Sequence, residues 1–123
     1  KFSAGARLED ELGAFSEEQR DGIIKTIIRF DREYSLKLHV QTQKEIFTST
    51  DAVSEGIFLG VCPSRGQVVI FMPPILRAAL GEGVAAQMRD MVESAGFADT
   101  AWTEAAIKAL LVLDANLERF GGS

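Results

Sequence analysis

The sequence predicts a small α/β domain: a mixed β-sheet of about three to four strands that includes a β-hairpin, sandwiched by helices. Three observations point there. Residues 16 to 34 and 101 to 120 carry apolar side chains at helical spacing, whereas Leu36, Leu38 and Val40 alternate with Lys37, His39 and Gln41 at the period of a strand. Two short apolar runs, Gly56 to Cys62 and Val68 to Met72, are joined by Pro63-Ser64-Arg65-Gly66, which is turn chemistry and predicts the hairpin. The chain of 123 residues has room for one domain, 1–123, with no linker or repeat.

The first helix has a start signal. Ser16 can cap the amide of Gln19 while Gln19 reaches back, a capping box. Ile23, Ile24, Ile27, Ile28 and Phe30 form its apolar stripe, and Asp21 with Lys25 and Arg29 with Glu33 stand four apart on the wet side. The alternating strand that follows places His39 on its polar, solvated face. Gln43 to Glu55 has no clear period, and the continuously apolar run from Gly56 to Cys62 reads as a strand covered on both faces. Cys62 ends it as a buried small hydrophobe.

Pro73-Pro74 stops the third strand. A short helix is expected from Ile75 to Leu80 and another from Glu82 to Ala95, with Val84, Met88, Met91, Val92 and Ala95 on one face and Gly96 as its stop. The last helix aligns Trp102, Ala106, Ala109, Leu110, Leu113 and Leu117.

Composition removes several classes of function. One Cys and one His are too few soft ligands for structural zinc, haem attachment or an iron–sulfur cluster. A bound metal is therefore expected to be a hard cation on oxygen ligands, calcium or magnesium. With 13 basic and 18 acidic residues the net charge is -5, which opposes binding to nucleic acid. Gly81-Glu82-Gly83-Val84-Ala85-Ala86 spells a dinucleotide fingerprint, but it does not follow directly on a strand, and Glu82 would oppose a phosphate at the helix start. No nucleotide is expected. The oxygen donors available are Asp10, in a loop before the first helix, Asp51 and Glu55 before the buried strand, and Glu82 at a helix start.

Leu8-Glu9-Asp10-Glu11-Leu12-Gly13-Ala14-Phe15-Ser16 resembles the opening of TPM domains: an apolar residue, any residue, Asp, then Gly and an apolar-Ser pair before a helix. The resemblance runs on through Glu17 to Tyr34, Ser35 to Thr42, Gly56 to Cys62, Gln67 to Met72, Leu80 to Met88 and Trp102 to Leu113. It implies an α/β sandwich outside the cytoplasm, in the periplasm or at a membrane anchor. Lys1, in place of Met, leaves room for a removed signal peptide or anchor. Some members of the family are assigned metal binding and acid phosphatase activity, including thylakoid proteins of photosystem repair; others are accessory subunits of membrane complexes.

Carried over, Asp10 falls on the family's leading Asp and Glu82 on the Asp at its helix start. The family's Asp-Asn-Gly reads Ser54-Glu55-Gly56 here. Its glycine-rich segment reads Met72-Pro73-Pro74-Ile75-Leu76-Arg77, with Arg77 where an acid is common. The family's crossover helix within Gln43 to Glu55 is expected to be reduced or missing.

These departures make the expected function that of a divergent, non-enzymatic protein-interaction or accessory module of a membrane-associated system, with the contact around Phe47 or Pro73-Pro74-Ile75. Two alternatives stay open. One is a low-activity phosphatase whose calcium or magnesium is held by Asp10, Glu55 and Glu82, with Arg77 on the phosphate. The other is a cytosolic regulatory ligand-binding domain. The catalytic residues, the partner and the oligomeric state are not specified by the sequence.

Overall fold

In the computed structural model, which describes residues 7–48 and 56–121, four strands form a mixed sheet in the order β1-β2-β3-β4. The elements are β1 (Leu8–Asp10), α1 (Glu17–Arg29), β2 (Leu38–Thr42), β3 (Ile57–Cys62), β4 (Gln67–Phe71), α2 (Pro74–Leu80), α3 (Glu82–Ala95) and α4 (Ala101–Gly121). β1, β2 and β3 run parallel, and β4 returns antiparallel to β3 through the expected hairpin. Gly66, at φ 63, closes the turn after Pro63–Arg65, where a left-handed backbone suits glycine.

The pre-helix loop expected around Asp10 is in fact the strand β1, with Leu8, Glu9 and Asp10 in register with Val40, Gln41 and Thr42. Three residues are too few to show a period. The capping box is realised: Gln19 N donates to Ser16 Oγ at 3.1 Å, and Ser16 N donates to Gln19 Oε1 at 2.9 Å. α1 then widens into a π turn, Phe30–Tyr34, and stops at Ser35 in the left-handed region at φ 57.

The stripe on α1 is narrower than its five apolar residues suggest. Ile23, Ile27 and Phe30 are buried, while Ile24 and Ile28 are exposed. Arg29 is engaged by Asp114 of α4, its Nε 2.9 Å from Oδ2, and not by Glu33. The α4 stripe is buried throughout, as are Val84, Met88 and Val92 of α3.

All of these helical side chains join Leu38, Val40, Ile57, Leu59, Val61 and Val68 in one core on one face of the sheet. The opposite face carries a second, smaller cluster of Phe58 and Cys62 under Phe47. β3 is therefore buried at every residue, as its unbroken apolar run predicts. Phe47 belongs to the aperiodic stretch, of which 43–48 is not helical and 49–55 lies outside the described residues. Its ring packs on Phe58 edge to face, centroids 5.6 Å apart. The side-chain amide of Gln67 brackets its main chain: Phe47 N donates to Gln67 Oε1 at 2.8 Å, and Gln67 Nε2 donates to Phe47 O at 3.3 Å. Gly60 makes the space, since a Cβ there would stand 2.8 Å from Phe47 Cζ and 2.7 Å from Phe58 Cε2.

Candidate functional site

Because β1, β2 and β3 are parallel, their C-terminal ends share one end of the sheet, where ligands of open α/β sheets gather. Asp10 ends β1 there, beside Thr42 at the end of β2. A cleft of about 330 Å³ opens at this corner, lined by Glu9, Asp10, Glu11 and Gln41. Glu9 reaches Arg7 at 3.1 Å, and Glu11 Oε2 lies 3.5 Å from Lys44 N.

The Asp10 side chain is fully buried, and both its oxygens are already in use. Oδ1 accepts from the Thr42 hydroxyl at 2.6 Å and from Ala14 N at 3.1 Å. Oδ2 accepts from Phe15 N at 3.0 Å and lies 3.5 Å from Arg20 Nη1. A carboxylate offers about four lone-pair sites. Asp10 spends them tying the loop before α1 to β2, so a cation would have to displace those donors.

Glu82 opens α3, and its Oε1 accepts from Arg77 Nη2 at 2.6 Å. Arg77 is thus satisfied by Glu82 across the α2–α3 junction. The two side chains rim a cleft of about 500 Å³ whose other lining residues include Phe71, Met72, Pro74 and Gly81. Phe71, the last residue of β4, pairs with Phe58 near the start of β3. The chain therefore leaves β4 at the end and the edge of the sheet opposite to Asp10.

The structure thus places Asp10 and Glu82 in separate clefts and does not bring them together. Glu55 and Asp51 lie outside the described residues. Among the described residues no group of three or more His, Cys, Asp and Glu side chains is placed to hold a metal ion. As they stand, Asp10 and Glu82 do not make a shared oxygen cage.

His39 is the residue the sequence reading misplaced. It is buried, with its side chain 5% exposed, because Phe58 stacks on its ring at 5.3 Å on the face that Phe47 covers. Its Nε2 lies 2.9 Å from Gln41 Oε1 and 3.4 Å from Glu9 Oε1. Gln41 Nε2 donates to Gln43 Oε1 at 2.7 Å, and Gln43 Nε2 donates to Glu45 O at 2.8 Å. Both groups facing Nε2 are acceptors, so Nε2 is the ring nitrogen that donates. Nδ1 is buried without a hydrogen-bond partner among the described residues. The signal in the sequence was the polar row Lys37, His39, Gln41 and Gln43 lying close before an isolated Phe47.

Phe47 is buried, which withdraws it as an exposed contact, whereas Ile75 on the outer side of α2 is 84% exposed. No helix among the described residues is long and apolar enough to cross a membrane.

No protein-family model matches the chain, and no curated protein matches it. Among solved structures, it is similar to the N-terminal domain of a protein from P. gingivalis, with 17% identity and a TM-score of 0.66, over 94% of this chain and 87% of that one. It is also similar to the N-terminal domain of the cg2496 protein from Corynebacterium glutamicum, with 10% identity and a TM-score of 0.68, over 94% of this chain and 82% of that one. At such identities the likeness is one of fold, and it extends over nearly the whole chain.

Proposed function

We propose that this chain is a divergent TPM-like module that works as a non-enzymatic interaction or accessory domain outside the cytoplasm, on a membrane-associated system. The observation that carries this reading is at Asp10. The acid that the resemblance puts forward as a ligand accepts hydrogen bonds from Thr42, Ala14 and Phe15. The second acid, Glu82, is neutralised by Arg77 in another cleft. Contact with a protein partner is expected at Ile75, exposed on α2 directly after Pro74, and at the cleft that Phe71, Met72 and Pro74 line. The extracytoplasmic setting rests on the resemblance.

Calorimetric titration with calcium and then magnesium tests the reading. No saturable heat is expected. Saturable binding below about millimolar, the range of extracellular calcium modules, would overturn it in favour of a metal-dependent phosphatase. Phosphate-ester turnover that falls in Glu82→Gln would then identify Glu82 as part of that site.

A further inference from the structure

The two edges of the sheet are built differently. β1 is three residues long and carries Glu9 and Asp10. β4 presents Gln67-Val68-Val69-Ile70-Phe71, five residues without a charge, a proline or a break in register against β3. Among the described residues its main-chain hydrogen bonds run to β3 alone. Val69, Ile70 and Phe71 are each only half-buried, and α3 packs on the helix-side face of the strand. Of the devices by which a strand itself blunts an exposed edge, shortness, charge, proline and bulges, β4 has none.

We propose that β4 is an interface through which two copies of this chain pair, antiparallel, about a two-fold axis at Val69. Full overlap of the five residues requires that axis. It sets Val69 opposite Val69, Val68 opposite Ile70, and Gln67 opposite Phe71. The Val69–Val69 and Val68–Ile70 pairs are apolar and β-branched, of the kind that stabilise antiparallel pairs, and the strand holds no charge that would meet its own copy. The occupant is a second copy because the strand is self-complementary in this register.

Antiparallel pairing carries Arg65 of the second copy, which has no ion pair among the described residues, toward the cleft at the other end of the strand, where Arg77 and Glu82 already pair with each other. The two four-stranded sheets become one across a closed two-fold contact.

Sedimentation equilibrium of the whole chain, from micromolar to near-millimolar concentration, is expected to show a monomer–dimer equilibrium. Val69→Lys puts two ammonium groups on the axis and is expected to weaken association at least tenfold, and Val69→Glu likewise. An equimolar mixture of the two is expected to associate again, since Lys then faces Glu, a recovery that misfolded variants would not give. Amide exchange on the unmodified chain supplies a check independent of the variants: protection at Gln67–Phe71 rises with concentration. Ile75→Glu leaves the dimer intact, which separates this contact from the partner surface on α2. A chain monomeric at every concentration, a dimer that survives Val69→Lys, or a mixture that stays monomeric would overturn the proposal.

Discussion

The Thr42 hydroxyl donates to Asp10 Oδ1 at 2.6 Å, joining the ends of two parallel strands from residues 32 apart in the chain. The same carboxylate holds Ala14 N and Phe15 N, so one buried acid organises the approach to α1. Asp10→Ala leaves the Thr42 hydroxyl and both amides without their acceptor, at an expected cost of about 2–4 kcal/mol. Thr42→Val removes that donor, together with the oxygen that accepts from Leu12 N at 3.3 Å, and costs about 1–2 kcal/mol. Urea unfolding of the two variants and of their combination measures both, and the coupling between them is expected to be non-additive. A change of less than about 0.5 kcal/mol for Asp10→Ala would be inconsistent with an anchoring role.

Gly60 and Phe47 form a second dependency. A Cβ on Gly60 would enter the space of both the Phe47 and the Phe58 rings. Gly60→Ala is therefore expected to destabilise by about 1–3 kcal/mol through overpacking. In a Phe47→Ala background one of the two clashes is gone, and the penalty of Gly60→Ala shrinks. A penalty that is the same in both backgrounds would show that Phe47 does not seat on Gly60.

These two pairs mark where sequence reading succeeds and where it stops. The capping box at Ser16, the turn at Gly66, the doubly covered run Ile57–Cys62 and the stripe on α4 were legible because each is a local pattern, fixed within a few residues. Asp10, Glu82 and Arg77 were also legible as residues of interest. Their roles were not, because they depend on Thr42 and on the Arg77–Glu82 pairing across the α2–α3 junction. His39 was placed in water since strand alternation separates two faces without saying which is covered. The cover is the cluster of Phe58, which stacks on His39, and Phe47, an apolar residue in a stretch with no period whose three-dimensional path brings it onto Phe58. β1 was missed because three residues, two of them acidic, form a strand only when β2 is there to pair with.

Tyr34 is the chain's single tyrosine, so its titration can be followed by tyrosinate absorbance without interference. Burial raises its pKa above 10, and the bond from its hydroxyl to Asp114 Oδ1, at 2.6 Å, raises it further, against the lowering influence of Arg29. The folded state therefore favours the neutral phenol. Its contribution to stability is complete below the unfolded value near 10 and is lost as pH rises through the higher folded value. Tyr34→Phe is expected to cost about 1 kcal/mol at neutral pH. The gap in melting temperature between the two proteins should close at alkaline pH. A folded-state absorbance midpoint at or below that of the unfolded chain would contradict the arrangement.

The neighbouring residues Ile75 and Leu76 on α2 provide the sharpest separation of stability from binding. Leu76 is buried in the main core, and Leu76→Ala is expected to cost about 2–4 kcal/mol by opening a cavity. Ile75 is 84% exposed one position earlier. Ile75→Glu removes little packing, and its effect on unfolding should stay within about 0.5 kcal/mol. If α2 is the partner surface, that same substitution abolishes association with the partner while leaving the fold intact, because a carboxylate would be pressed against the apolar contact without a counter-charge. Parallel urea titrations of the two variants establish the first half. A partner that still binds the Ile75→Glu chain with unchanged affinity would move the contact away from α2.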